Sequence, residues 1–337
     1  MRTSILLLTI ALIGAWAGAV HGQIPAPPPW AYGFLAGGDA PAPPPCSPSS
    51  KPIDCARLGA PRPKDVIHTL PGTDKKLTEF DIHYDYGPAD WYPEDHPSMP
   101  EIVARGRESD TLRPCGLCHY PNGQGKPENA PVAGLPAAYI LEQLEAFRNG
   151  TRRSADPRKA NTNEMIQIAR HLTDAEMKTV AQYFSSIPWK PWITVVETDR
   201  VPVAKPGMNG LFIQQPGDVT EPLGRRILEV PQDPHATERA RAPRSGMLAY
   251  VPVGSLARGE ELVMKGGGKT VACTICHGAD LRGAGAVPGI ADKQTSYMAR
   301  QLYDMQAGTR QSPLMQPLVA KLTEDDVIAI VAYLASK

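Results

Sequence analysis

The sequence carries no surplus of charge, few aromatic residues, almost none of the apolar–polar alternation that strands show, and no long apolar run after its first two dozen positions. Thirty-five basic residues balance 35 acidic ones, so the chain lacks the cationic footprint that nucleic-acid binding requires. No later window is apolar enough to span a bilayer, and no transmembrane segment is expected beyond the start of the chain. Aromatic residues make up only 6%, whereas proline and glycine number 36 and 30. The length allows two ordinary domains with connecting structure.

What is present begins with an export pattern. Residues 1–22 hold one charge, Arg2, then an apolar run from Ile5 to Val20, and the small residues Val20 and Gly22 precede a cleavage point at Gln23. This reads as a signal peptide, too short for a spanning helix and followed at once by a polar, proline-rich stretch; an uncleaved anchor is the alternative. The mature chain is then expected in the periplasm, an oxidising compartment. Residues 23–98 read as an irregular arm, with Pro27-Pro28-Pro29 and Pro43-Pro44-Pro45 favouring polyproline conformation. Cys46 and Cys55 fall within it. Outside the cytosol the economical reading is one local disulfide, and two free thiols is the other.

The remaining four cysteines stand in two pentapeptides, Cys115-Gly116-Leu117-Cys118-His119 and Cys273-Thr274-Ile275-Cys276-His277. Cys-x-x-Cys-His is the attachment signature of c-type haem: two thiols three positions apart reach the vinyl groups, and the adjoining histidine reaches the iron. A zinc ribbon would use the four thiolates and leave both histidines unexplained, and a thioredoxin-like pair would need a βαβ setting. Two covalently bound haem c groups, on Cys115, Cys118, Cys273 and Cys276, are therefore expected. A flat apolar prosthetic group also supplies core that a chain poor in aromatics cannot fill with side chains. The aromatic stretch from His83 to Pro97, with Tyr84, Tyr86, Trp91 and Tyr92, suits a strap over a haem edge, a partner-facing patch, or packing of the arm onto the first domain.

The pentapeptides belong to an internal repeat. Tyr139, Gln143-Leu144 and Gly150-Thr151-Arg152 recur as Tyr297, Gln301-Leu302 and Gly308-Thr309-Arg310, each 158 positions on, the offset that also separates His119 from His277. Beyond that the offset is 150, pairing Met165 with Met315, Leu172-Thr173 with Leu322-Thr323 and Tyr183 with Tyr333. The first copy thus holds eight extra residues around Asp156 to Thr162, expected to form a loop. Ala104-Arg105-Gly106 parallels Ala257-Arg258-Gly259 near the start of a helix that leads into the first cysteine. Ile140, Leu144 and Phe147, like Met298, Leu302 and Met305, recur at helical spacing. Thr173-x-x-Glu176 and Thr323-x-x-Asp326 are capping boxes opening a last helix, whose buried stripe includes Met177, Val180 and Phe184 in one copy and Val327, Ile330 and Leu334 in the other. The expected fold class is all-α: two small helical domains at 99–192 and 251–337, each wrapped around a haem, joined by a proline-rich connector at 193–250. In the connector Ile193 to Val203 and Arg226 to Val230 read as short extended pieces. Its length predicts packing across both domains, with disordered spacing as the alternative.

Each copy resembles a class I cytochrome c domain, and the pair resembles the periplasmic tandem dihaem cytochromes of the c-four type. The resemblance rests on Cys-x-x-Cys-His, the Tyr-x-x-x-Gln-Leu helix with Gly-Thr-Arg, the methionine, and the Leu-Thr before the last helix. It implies that histidine and methionine bind each iron from opposite faces, His119 with Met165 and His277 with Met315. It also implies that the carbonyl of a proline after the motif holds the ligand histidine; Pro288 stands at that place. The first copy departs, with Ala130 at the aligned position, Pro131 one later, and Tyr120-Pro121 where the second has Gly278, so what holds His119 is left open. A soft thioether opposite imidazole stabilises reduced iron, which suits a carrier. Met165 and Met315 are also the only methionines that align across the repeat in a loop-like stretch, whereas Met177, Met298 and Met305 lie on helical stripes and read as core. His171, and less well His96, are the alternative ligands in the first copy.

The resemblance implies a periplasmic carrier of single electrons between a donor and an acceptor redox protein, with no catalytic residues. A cytochrome subunit of a periplasmic dehydrogenase would account for the long arm and connector, and a membrane oxidase is another expected partner. A dihaem enzyme, such as a peroxidase or sulfur-compound oxidase, would need an open iron position with acid–base groups beside it.

Overall fold

The computed structural model describes residues 27–37, 46–56, 58–207 and 209–337; the segment read as a signal peptide lies outside them. The first repeat copy builds three long helices, α1 (Ala137–Arg148), α2 (Ala160–His171) and α3 (Asp174–Ser185). The capping box opens α3: Thr173 Oγ1 accepts from the Glu176 N–H, and the Glu176 carboxylate accepts from the Thr173 N–H at 2.7 Å. Met177, Val180 and Phe184 of α3 are buried against Ile140 and Leu144 of α1 and Ile168 of α2 in one core. The extra residues of this copy are not all loop. Residues 160–162 open α2, so Met165 is helical, whereas Met315 directly precedes a four-residue helix at Gln316–Val319.

The connector is not irregular, and the all-α expectation fails there. Strands β1 (Ile193–Glu197), β2 (Leu228–Pro231) and β3 (Met247–Val251) form a sheet with β3 central, parallel to β1 and antiparallel to β2. Met247, Ala249 and Val251 are buried while Leu248 and Tyr250 between them are only half-buried, the period of two that a strand imposes. Two short antiparallel ladders, Arg200–Pro202 with Thr220–Pro222 and Ala204–Pro206 with Phe212–Gln214, extend the β structure. Pro202, Pro206, Pro222 and Pro231 are each the last residue of a strand. A proline has no N–H to give a ladder, so it is tolerated at such ends, and content that suggests coil instead marks strand boundaries. The connector touches both copies. Glu229 of β2 accepts hydrogen bonds from the Thr295 and Ser296 N–H groups of the second, and Glu238 accepts from Lys126 of the first at 2.8 Å.

The second copy has helices α4 (Ser255–Lys265), α5 (Thr295–Gln306) and α6 (Glu324–Ala335). Gly259 lies where α4 meets α6, and a Cβ there would collide with the Ala329 carbonyl oxygen. The corresponding helix of the first copy is cut to Glu101–Ala104, and Gly106 turns the chain at φ 65°. The parallel between Ala104-Arg105-Gly106 and Ala257-Arg258-Gly259 therefore ends at the sequence.

The arm is divided among all three parts. Trp30, Tyr32 and Phe34 are buried in the core of the second copy, where the Tyr32 hydroxyl donates to Asp304 at 2.8 Å. Cys46 and Cys55 are disulfide-bonded, and Gln167 of α2 donates to the Ser47 carbonyl in the loop they close. The aromatic stretch packs on the connector and on the first domain: Trp91 Nε1 donates to the Ala240 carbonyl at 2.7 Å, its ring joins a core with Leu70, Ile82 and Ala242, and Asp85 pairs with Arg113 at 2.8 Å.

Candidate haem sites

Each Cys-x-x-Cys-His lies on a single helical turn, Cys115–His119 in one copy and Thr274–His277 capped by Cys273 in the other. Positions i, i+3 and i+4 share a face of such a turn, which directs both sulfurs and the imidazole to one side. His119 Nδ1 donates to the Ala130 carbonyl at 2.8 Å, and His277 Nδ1 to the Pro288 carbonyl at 2.7 Å. Each bond places the ring proton on Nδ1 and leaves the Nε2 lone pair for a metal. The acceptor is a backbone oxygen, so alanine serves as well as proline, and the missing proline does not loosen His119. Burial lowers the pKa of both imidazoles, keeping them neutral as ligation requires.

In the first copy His119 and Met165 line one cavity with Cys115 and Cys118, about 1250 Å³ including its open mouth. Its walls include Leu135, Ile140, Leu144, Ile168, Val180 and Phe184. The Cys115 thiol is pushed up to about 12 by burial and then by Cys118, so it stays protonated. An apolar slot with two unbridged thiols, a neutral imidazole and a thioether fits a covalently attached haem. The alternative ligands point elsewhere: His171 Nδ1 bonds the Gln167 carbonyl, His96 bonds Asp90 and the Pro97 carbonyl, and neither lines the cavity. In the second copy His277 is buried, and Cys273 and Met315 pack against the core that contains Met298 and Met305, the two methionines read as stripe residues. Cys276 is exposed.

The loop after each histidine turns through the same left-handed positions whatever residue stands there. Tyr120 and Gly278, Gly123 and Leu281, Gly125 and Gly283, and Gly134 and Asp292 all have positive φ. Tyr120, at φ 61° and ψ 155°, occupies a region essentially reserved for glycine, at a cost of roughly 1–3 kcal/mol. Its ring is buried with Trp192, Leu211 and Met247, which holds it there.

The other domain closes part of the first cavity, for Tyr297, Arg300, Gln301 and Asp304 line it beside Arg152 and Arg153. In the sequence Tyr139, Gln143 and Arg152 serve only as markers of the repeat. The signal for a contact is that these three polar residues recur, each 158 positions on.

The cytochrome c family matches residues 103–188 and 256–337. The chain is 37% identical over 82 residues to the thiosulfate dehydrogenase electron acceptor of Stutzerimonas stutzeri, covering 23% of this chain and 38% of that one. It is 25% identical over 228 residues to cytochrome c4 of Azotobacter vinelandii, covering 65% of this chain and 82% of that one. It is 31% identical over 78 residues to cytochrome c-554(548) of Halomonas halodenitrificans, covering 23% of this chain and 88% of that one. The chain thus spans little more than a third of the thiosulfate dehydrogenase electron acceptor but most of the other two. With the family covering both repeat copies, the chain belongs to the cytochrome c family, as two domains in tandem with two covalently bound haem c groups.

Proposed function

We propose that this protein passes single electrons between redox proteins in the periplasm, with Cys115 and Cys118 holding one haem and Cys273 and Cys276 the other. His119 with Met165, and His277 with Met315, are the residues that would hold the two irons. The convergence of His119, Met165 and both thiols on one apolar cavity carries this reading. When bound, haem supplies a one-electron iron couple, and a histidine–methionine pair leaves it no open position. The chain's own residues hold the imidazoles by their Nδ1 bonds, keep water from the thioethers with apolar walls, and orient the thiols. The three carboxylates that line the first cavity are all engaged, Glu164 with Arg113 at 2.6 Å, Glu128 with Lys126 at 2.9 Å, and Asp304 with the Tyr32 hydroxyl and the Ala155 N–H, both at 2.8 Å, which speaks against an acid–base role. The periplasmic placement rests on the export pattern of residues 1–22. Among the described residues no helix is long and apolar enough to cross a membrane.

A dehydrogenase is the favoured donor. The arm and connector wrapped on the first domain exceed what a carrier needs, and the similarity to a thiosulfate dehydrogenase electron acceptor supports such a partnership. The test is direct. Acid–acetone extraction should leave two haems on the denatured chain, and Met165→Ala or Met315→Ala should each create one carbon-monoxide-binding site. One retained haem, or variants that bind no carbon monoxide, would overturn the reading.

A further inference from the structure

Arg113 stands two residues before Cys115, and Glu164 immediately before Met165. Their side chains meet. Arg113 Nε donates to Glu164 Oε1 at 2.8 Å and Nη2 to Oε2 at 2.6 Å, a bidentate pair whose side chains are only 11% and 7% exposed. The remaining nitrogen, Nη1, donates to Asp85 of the arm at 2.8 Å. Glu164 lines the haem cavity, and with Arg113 it also lines a hollow of about 1840 Å³, including its open mouth, between the arm, the connector and the first domain. The pair therefore stands between solvent and the cavity that Met165 lines. The arm reaches the same helix a second time, where Gln167 of α2 donates to the Ser47 carbonyl at 2.9 Å. Taking two charges out of water offsets most of what their attraction returns, so such a pair adds little net stability. Two parallel hydrogen bonds from a planar guanidinium do fix geometry, and that is what this pair supplies. The second copy has no counterpart. Val271 stands at the position of Arg113, 158 residues on, and Leu314 at that of Glu164, 150 residues on. Both are exposed, Leu314 at 85%, and neither side chain can form an ion pair.

We propose that Arg113, steadied by Asp85, is a positioning residue: through Glu164 it fixes α2 against the Cys115–His119 turn and so keeps the Met165 thioether in place for the first iron. The second domain lacks this clamp, and Met315 is the more easily displaced of the two methionines. The proposal rests on the reading of Met165 and Met315 as iron ligands. It also gives the arm a use, since Asp85 acts on the iron site through two side chains without touching it. A tethered thioether competes with an outside ligand through its effective concentration, which falls when the segment that carries it loosens.

The probe is imidazole, titrated into the oxidised holoprotein and followed in the visible spectrum, with Met165→Ala and Met315→Ala assigning the two binding steps. In the wild type the second haem should take imidazole at least tenfold more tightly than the first. Arg113→Gln and Glu164→Gln should each tighten binding at the first haem at least tenfold and leave the second within twofold. Asp85→Asn, at a side chain 41% exposed and outside the buried pair, should act at the first haem alone by a smaller factor. Arg113→Lys, which keeps the charge but not the fork, should fall between Arg113→Gln and the wild type. Where Arg113→Gln does not fold, Glu164→Gln and Asp85→Asn carry the test. Wild-type affinity at the first haem in both of these overturns the positioning role, even where thermal melts show lost stability. Equal tightening at both haems, or equal wild-type affinities, overturns it as well. Met165→Ala separates the two levels. If it leaves imidazole binding as in the wild type, Met165 is not a ligand and the axial reading falls, whereas if it opens a site that the clamp variants do not, only the clamp falls.

Discussion

Arg152 and Arg310 meet across the domain boundary: their backbones pair as an antiparallel bridge, and each guanidinium reaches glutamines of both domains. Arg152 donates to Gln143 at 3.0 Å and to Gln301 at 2.8 Å, and Arg310 donates to Gln301 and Gln143, both at 3.0 Å. Each also donates to the opposite tyrosine, Arg152 to Tyr297 at 3.1 Å and Arg310 to Tyr139 at 2.8 Å. Two copies of one sequence pattern thus use each other as partners, in a pseudo-two-fold contact. Both arginines are buried, and hydrogen bonds from a charged donor are worth roughly 1.5–3 kcal/mol each. Arg310→Ala should therefore lower the unfolding free energy by about 3 kcal/mol and move the denaturation midpoint down with it, because its bonds to Tyr139 and Gln143 of the other domain are lost while Arg152 still holds Tyr297 and Gln301. Guanidinium titration followed by tryptophan fluorescence and haem absorbance checks both.

The repeat, its helices and both attachment motifs were legible in the sequence because each depends on local spacing: i to i+3 and i+4 for the motifs, the capping threonine for the last helices. The connector's sheet was legible only in part: Ile193 to Val203 and Arg226 to Val230 read as extended, and strands lie there, but their pairing and the third strand did not show. Its strands are three to five residues long and pair over long separations, as Ile193 does with Met247, and no local pattern encodes such a partner. What holds His119 stays open in the sequence for another reason: Ala130 stands where the second copy has proline, and only the structure shows that its carbonyl, which every residue carries, takes the same bond.

Tyr120 and Gly278 share one backbone position with positive φ, and substitution should act in opposite directions at the two. The Tyr120 hydroxyl is buried without a hydrogen-bond partner, and Tyr120→Phe should raise stability by about 1 kcal/mol, since it removes an unpaired polar group and keeps the ring. Gly278→Ala should cost roughly 1–3 kcal/mol, because a Cβ enters a conformation at φ 87° that side chains rarely adopt. Thermal melts of the two holoproteins give the comparison.

Asp95 joins the arm to the rest of the chain. Its carboxylate accepts from Arg244 of the connector at 2.7 and 2.8 Å and from Lys190 at 2.7 Å, and the Arg244 hydrogen bond, opposed by burial and aided by Lys190, holds its pKa at about 2. A carboxylate held below its unfolded value adds stability above about pH 4 that is lost as pH falls towards about 2. Arg244 and Lys190 are both about half exposed, so screening reduces the contribution to about 1–2 kcal/mol. Asp95→Asn should destabilise by that amount at pH 7 and hardly at all at pH 2, measured by urea denaturation at the two pH values.

The two haems should be inequivalent in potential, and burial orders them. The histidine supports are alike, one backbone carbonyl on each ring, so they do not separate the sites. Covering does: Leu117 and the loop to Glu128 are buried in the first domain, whereas Ile275 and most of residues 279–286 are exposed in the second. Ferric iron carries one more positive charge than ferrous, and a low-dielectric surrounding disfavours the extra charge, so the covered site holds the electron more tightly. Arg152 and Arg300, buried in the lining of the first cavity, act in the same direction. A redox titration should resolve two one-electron steps separated by tens of millivolts, with the higher belonging to the first domain. Met165→His, which replaces the thioether with a ligand that favours ferric iron, should pull down the higher step alone. Arg241→Ala, which removes the connector's bond to the Leu117 carbonyl, should lower that step by a smaller amount. Coincident midpoints, or a Met165 substitution that moves the lower step, would show that covering by the arm and connector does not set the order.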